Sequence, residues 1–126
     1  MSLKEYFETA TGFGVLSTAD ADGKVDAAVY AKPHCMEDGS IAFIMRDRLT
    51  HANLQSNACA AYLFREDGKG YSGKRLFLSK IGEEKNSESI RELERRSCPD
   101  NGEVDRFLVF FRVDKELPLV GSGGVE

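Results

Sequence analysis

The chain has 126 residues, a formal net charge of −4, 41% hydrophobic residues and 30% charged residues. That length suits one domain over 1–126, and the composition is that of a globular rather than a disordered protein. A mild negative charge argues against a nucleic acid or an anionic membrane as the main partner. No apolar run approaches the ~20 residues of a membrane helix, and the N-terminus lacks the apolar stretch of a signal peptide. We therefore expect a cytoplasmic protein.

Cysteine usage agrees with that expectation. Cys35, Cys59 and Cys98 are odd in number and lack CxxC spacing, so they predict free thiols rather than a disulfide framework. Cys59 lies in an apolar stretch and is expected to be a small buried hydrophobe. Cys98 follows two arginines at a predicted helix end, and we expect it to be solvated.

Local patterns along the chain predict a series of short elements. Helices are expected over 2–10, in a short segment ending near 57, and over 88–96. Strands are expected over 13–19, 24–32, 41–45, 58–64, 73–81 and 104–113. The first helix begins with the capping box formed by Ser2 and Glu5, and either Asn86 or Ser87 can cap the last helix.

Two Asp-Gly pairs predict hairpins. Asp22-Gly23 favours a type I′ turn, in which both central residues have positive φ, and Asp38-Gly39 closes a second hairpin. In the strand over 24–32, alternate residues from Val25 to Ala31 share one face. In the strand over 73–81, Leu76 and Leu78 share one face and Phe77 lies on the other, and the charged residues 83–85 that follow predict a solvent-facing turn. The run Phe107–Phe111 is nearly continuously apolar, as in a strand buried on both faces, although it could also contribute to a subunit interface.

Six strands with tight hairpins predict a mainly β fold. A small antiparallel barrel with short flanking helices would leave few open sheet edges, which suits so many short strands in a short chain.

One segment has the residue types of an anion-binding site. Arg46, Arg48 and Thr50 cluster where a strand gives way to a helix. A helix N-terminus has unpaired N–H groups and partial positive charge, so it attracts an oxyanion. Arginine adds a bidentate cationic donor, and threonine adds a hydroxyl. The segment therefore suits a phosphate monoester. The alternative is that Thr50 only caps the helix and the arginines are solvated.

The order of strand, Asp-Gly hairpin, strand, Arg46–Leu54 and strand resembles the FMN-binding split barrels related to pyridoxamine 5′-phosphate oxidase. The Thr50-x-x-Asn53 form resembles the short FMN-binding members of that family. The segments 70–78 and 117–121 are also similar to this group. The resemblance implies a six-stranded antiparallel split β-barrel, FMN as cofactor, and a homodimer with FMN near the subunit interface.

The resemblance also implies where FMN would bind. Residues 29–32 would lie along the isoalloxazine, residues 44–46 would line it from a neighbouring strand, and residues 48–53 would surround the phosphate. Tyr71 and Arg75, from the partner subunit, could close the site. Either Lys32 or Arg46 could tune the flavin. The implied cofactor-binding residues are Val29, Tyr30, Ala31, Lys32, Ile44, Met45, Arg46, Arg48, Leu49, Thr50, Asn53, Tyr71 and Arg75.

The implied function is a small flavin-dependent oxidoreductase or electron carrier. The chain is too short to include the C-terminal substrate region of the full-length oxidases, so oxidation of pyridoxamine phosphate is not expected. No catalytic residue is assigned. His34, Cys35 and His51 do not supply the three or four convergent ligands of a metal site. Two alternatives stay open: a non-catalytic barrel that binds another flavin, haem or a phosphorylated ligand, and an oligomeric structural barrel without a small ligand.

Overall fold

The computed structural model of the chain describes residues 2–97 and 105–121. In chain order the elements are α1 (Leu3–Thr9), β1 (Gly12–Ala19), β2 (Val25–Val29), β3 (His34–Cys35), β4 (Ile41–Arg46), α2 (Leu49–Ser56), β5 (Cys59–Glu66), β6 (Gly73–Lys85), α3 (Glu88–Ser97) and β7 (Arg106–Pro118).

The strands form one antiparallel sheet in the order β2-β1-β5-β6-β7-β4-β3. The mainly β class is confirmed, but the expected count of six strands is wrong, because the described residues form a sheet of seven strands whose edge strands, β2 and β3, do not pair with each other. The additional strand is β3, whose two residues pair with Ile41 and Ala42. A strand of that length is too short to produce an alternating pattern in the sequence.

The opening in the sheet lies between β2 and the second half of β4. Among the described residues, strand β2 pairs with β1 alone. Because β3 pairs with β4 only at residues 41 and 42, residues 43–46 have no strand neighbour on that side within the described part of the chain. The edge of β2 and the edge of β4 therefore both remain open.

The capping box at the N-terminus is confirmed. The Glu5 N–H donates to Ser2 Oγ at 3.2 Å, and the Glu5 carboxylate accepts from the Ser2 N–H at 3.4 Å. Helix α1 buries Phe7 against the sheet core. At the other capped helix, the Ile90 N–H donates to Ser87 Oγ at 3.4 Å, so Ser87 takes the cap and Asn86 turns the chain with a φ of 50°.

Both Asp-Gly turns form, but the first is not type I′. Among the residues of that turn only Gly23 has a positive φ, of 83°. The Asp20 carboxylate accepts from the Asp22 and Lys24 N–H groups, at 2.9 Å each, and this side-chain bonding favours ordinary φ at Asp22. In the second turn Gly39 has a φ of 92° and the Met36 N–H donates to the Ser40 carbonyl at 2.9 Å.

Strand β2 is shorter than expected, and its apolar face points outward. Val25 is 83% exposed and Val29 is 67% exposed, whereas the intervening Asp26 and Ala28 are half-buried. The shared face predicted from the alternation therefore exists, and it lies on the surface of the sheet.

Strands β6 and β7 are longer than predicted, by four and five residues at their C-terminal ends. Residues 82–85 pair with β7 after a register shift between Lys80 and Gly82, so the polar end of β6 is strand rather than turn. Leu76 and Leu78 are buried and Phe77 is exposed, as their alternation predicts.

The core lies between the inner face of the sheet, α1 and α2. Most of Phe107–Phe111 is buried, on both faces of β7: Phe107, Val109 and Phe111 lie in this core, and Leu108 lies with Ala42 and Ile90 in a second cluster against α3. Burial on both faces is therefore confirmed, and a contribution of this run to a subunit interface stays a prediction. Cys59 is exposed on the outer face, which contradicts its expected burial, because strand alternation turns it away from the buried Ala60. Cys98 and residues 122–126 lie outside the described residues. None of the described helices is both long and apolar enough to span a membrane.

Candidate functional site

The first turn of α2 begins directly after β4. The Arg48 N–H donates to the Arg46 carbonyl at 2.9 Å, which turns the chain from strand to helix. Arg48 occupies the N-cap position in an extended conformation, and no side chain caps the helix by hydrogen bonding. The first helical bond runs from the Ala52 N–H to the Arg48 carbonyl at 3.0 Å. The N-terminal N–H groups ahead of it are therefore available to an anion.

A cleft opens in front of this turn. It has a volume of about 440 Å³ and lies between β2, the end of β4 and the start of α2. Nine of the predicted cofactor-binding residues line it: Val29, Tyr30, Ala31, Ile44, Met45, Arg46, Arg48, Leu49 and Thr50. The cleft thus occupies the opening in the sheet between β2 and β4.

Tyr30 joins two walls of the cleft. Its ring packs edge-to-face on Phe43, with centroids 5.8 Å apart, and it lines the cleft together with Thr50 and Arg48. Burial raises the pKa of the Tyr30 phenol, while the nearby Thr50 side chain and the Arg48 charge act in the opposite direction. Tyr30 therefore presents a protonated hydroxyl beside the buried Thr50, which is 5% exposed.

Hydrogen bonds from the neighbouring strands hold the backbone of residues 30–31 in place. The hydroxyl of Tyr62, a residue with 0% exposure, lies 3.1 Å from the Tyr30 carbonyl oxygen and 3.1 Å from that of Ala31. The Tyr30 N–H donates to the Gly14 carbonyl at 3.0 Å. A rigid segment of backbone therefore forms one side of the cleft, as a preorganised ligand site requires.

The charges around the cleft are mixed but mostly positive near α2. Arg46 and Arg48 both lie at its helix end, and Asp26 lies on the β2 side. Opposite charges at two ends of one cleft suit a ligand that carries its negative charge at one end only.

Two further predicted residues lie elsewhere. Lys32 lines an adjoining cavity of about 160 Å³, and its ammonium group donates to the Ala10 carbonyl at 2.8 Å. Asn53 is 4% exposed and donates to Thr18 Oγ1 at 3.0 Å, so it fastens α2 to β1 and does not line the cleft.

Tyr71 and Arg75 also lie outside the cleft of their own chain. Tyr71 is 78% exposed in the connection before β6. The Arg75 guanidinium donates to the Pro118 carbonyl at 2.9 Å and to that of Gly121. Arg75 pairs with Leu63 on the outer face of the sheet.

The structure adds residues that sequence reasoning missed. Asp26 and Ala28 line the cleft because they alternate with the outward-facing valines of β2. The alternation of β2 was visible in the sequence, but the approach of β2 to α2 depends on the sheet topology.

Comparison with solved structures shows which fold this is. The chain is similar to an FMN-binding protein from Syntrophomonas wolfei, with a TM-score of 0.75 and 20% identity over 95% of this chain and 85% of that one. It is similar to an F420 reductase, with a TM-score of 0.66 and 17% identity over 89% and 94% of the two chains.

A third similar structure, from Lactobacillus delbrueckii, is provisionally described as a pyridoxamine 5′-phosphate oxidase. Its TM-score is 0.69, at 10% identity over 93% of this chain and 92% of that one. No family model and no curated protein sequence matches the chain. The fold is that of the FMN-binding split barrels related to pyridoxamine 5′-phosphate oxidase, as the sequence motifs predicted.

Proposed function

We propose that this chain, which has the fold of the FMN-binding split barrels, is a flavoprotein that binds FMN in the cleft between β2, β4 and α2. The observation that carries the proposal is the first turn of α2, which has no side-chain cap and faces the cleft beside Thr50 and Arg48. A helix N-terminus with a neighbouring hydroxyl and guanidinium provides the donors that a phosphate monoester requires.

The remaining cleft residues suit the rest of the cofactor. Thr50, Arg48 and the N–H groups of α2 would hold the phosphate, while the fixed backbone of residues 29–31 and the side chain of Ile44 would contact the isoalloxazine. Bound FMN would supply one- or two-electron redox chemistry, and the protein would supply orientation and electrostatics. The function is then that of a small oxidoreductase or electron carrier.

The proposal includes a homodimer, for which the outer face of the sheet provides a surface. Val29, Val15 and Leu63 form a row across β2, β1 and β5, and Phe77 extends the apolar surface onto β6. Val29 is 67% exposed and Leu63 is 39% exposed. Because Val29 also lines the cleft, a partner on this face would adjoin the cofactor. Arg75 lies in the same row, and with Tyr71 it would reach the partner's cleft.

Binding of FMN is tested with two substitutions in the cleft. The purified protein should bind FMN, measured by quenching of flavin fluorescence. Thr50→Val removes the hydroxyl and Arg48→Ala removes the guanidinium, and each should weaken FMN binding about tenfold or more, since each loses a charge-assisted hydrogen bond. The Arg48→Ala variant should also show a weaker dependence of affinity on salt.

Arg65→Ala is the matched control for charge, because Arg65 bonds to the carbonyls of Gly68 and Gly70 in a loop outside the cleft. It should bind FMN like the unaltered chain. Unaltered protein that fails to bind FMN would contradict the proposal, and tighter binding of F420 would assign a deazaflavin instead. Reduction of the bound flavin by NADH or NADPH separates an oxidoreductase from a passive binding protein.

A further inference from the structure

The residue after Thr50 faces away from the cleft. His51 is 7% exposed, and its ring stacks on Phe107 with centroids 3.7 Å apart and planes 19° apart. Its Nε2 atom lies 3.0 Å from Glu83 Oε2, and its Nδ1 atom lies 3.7 Å from an Asp47 oxygen. The first turn of α2 is thus attached to β6 through one imidazole.

Glu83 is held in turn by several donors. Lys80 Nζ lies 2.7 Å from one carboxylate oxygen, and Gln55 Nε2 donates to the same oxygen at 3.0 Å. Burial acts to raise the Glu83 pKa, but the bonds from Lys80, Gln55 and His51 outweigh it and lower the pKa to about 2. The carboxylate is therefore ionised and fully engaged at neutral pH.

The backbone of β6 makes this arrangement possible. Residues three apart in a regular strand point to opposite faces, so Lys80 and Glu83 would not meet. The register shift between Lys80 and Gly82 inserts Ile81 as an extra residue, and it brings the two charged groups together. Bulges commonly redirect side chains next to functional sites.

We propose that His51 and Glu83 form a positioning pair that fixes the first turn of α2, and with it Thr50, for recognition of a phosphate monoester. The inference deepens the proposed FMN function and rests on it. Neither residue touches the ligand, since neither lines the cleft. The pair acts on the N–H groups and hydroxyl that receive the phosphate, so its loss should affect the phosphate rather than the flavin ring.

The test compares FMN with riboflavin, which lacks the phosphate. Unaltered protein should prefer FMN. Glu83→Ala should lower the affinity for FMN about tenfold and leave that for riboflavin within about twofold, because the ring contacts persist. Glu83→Gln keeps an acceptor oxygen for His51 and should restore most of the preference. The matched control is Glu116→Ala, which removes a strand carboxylate paired with Lys74 instead.

A second measurement needs no flavin. Exchange of the Ala52 amide hydrogen, which makes the first helical bond of α2, should accelerate in Glu83→Ala and not in Glu116→Ala. An unchanged ratio of FMN to riboflavin affinity, equal losses for both ligands, or unchanged Ala52 exchange would each overturn the positioning role. If the unaltered protein lacks FMN affinity while Ala52 exchange still accelerates in Glu83→Ala, the proposed function is overturned and the attachment of α2 through His51 and Glu83 remains.

Discussion

At the scale of single residues, Tyr62 and Gly14 determine the shape of the cleft. The Tyr62 hydroxyl sits beneath two carbonyl groups of the cleft wall, and burial raises its pKa, so it stays protonated and able to donate. Gly14 leaves room for that hydroxyl. A Cβ atom at this position would lie 1.9 Å from Tyr62 Oη and 2.7 Å from the Tyr30 carbonyl oxygen.

Gly14→Ala should therefore destabilise the protein by about 2–4 kcal/mol, because the backbone of residues 30–31 must shift or the Tyr62 bonds must break. Urea unfolding measures the change. Gly82→Ala is the control, since a Cβ there meets no atom within 4 Å, and it should change the stability by less than about 1 kcal/mol. Equal stabilities for the two variants would show that Tyr62 does not hold the cleft wall tightly.

Which individual side chains face the cleft was only partly predictable. Arg48 and Thr50 could be placed from the strand-to-helix junction, because chain order alone brings them to a helix N-terminus. Asn53 could not, since its direction depends on which strand α2 packs against, and that strand is β1. His51 similarly meets Glu83 only through a distant part of the chain.

At the scale of elements, the N-termini of α1 and α2 differ in how they are capped. Helix α1 has a complete capping box, whereas α2 has arginine at its N-cap and no side-chain cap. Serine at an N-cap is worth about 1 kcal/mol over residues that cannot cap. The helix beside the cleft thus lacks stabilisation that the same chain uses elsewhere, which keeps its N–H groups open to a ligand.

Arg48→Ser should show whether capping α2 raises stability at the expense of FMN binding. The new hydroxyl can cap α2, so the free energy of unfolding should rise by about 0.5–1 kcal/mol, while FMN affinity should fall about tenfold because the serine competes for the N–H groups and the charge is lost. Thermal unfolding and fluorescence titration report the two effects. Loss of stability without loss of affinity would show that Arg48 is structural.

Elements with local signals were predictable and elements defined by pairing were not. The capping box, both Asp-Gly turns and the alternation of residues 76–78 follow from neighbours in sequence. The polar sequence at the end of β6 predicts a turn. It forms a strand because β7 pairs with it as far as Lys85. The positive φ expected at Asp22 fails because the Asp20 side chain bonds the turn instead.

At the scale of the whole molecule, the outer face of the sheet exposes several large apolar side chains, among them Val29, Leu63 and Phe77. The exposed or half-exposed side chains on β1, β2, β5 and β6 adjoin one another through the strand register. Contiguous apolar patches of this kind mark interaction sites. The proposed dimer buries this face and places a second chain beside the cleft.

Leu63→Glu tests the dimer. A carboxylate in the middle of the face should weaken self-association by about 2 kcal/mol or more, because a second chain on this face would remove the charged group from water. Light scattering after size-exclusion chromatography measures the mass, and FMN affinity should fall with it. Val120→Glu, which changes another exposed apolar residue beyond β7, should leave the mass unchanged. A monomeric unaltered protein with full FMN affinity would contradict a shared site.

The gap between β2 and β4 also bears on the aggregation of newly synthesised chains. Open strand edges are where chains pair with one another and aggregate, and the described part of the sheet has such edges on both sides of the cleft. FMN bound in the gap would lie beside both edges, and a ligand at 100 times its Kd stabilises the native state by about 2.7 kcal/mol. Cofactor supply would then determine how much newly made protein avoids aggregation. Occupancy of the cleft would therefore limit the yield of folded protein.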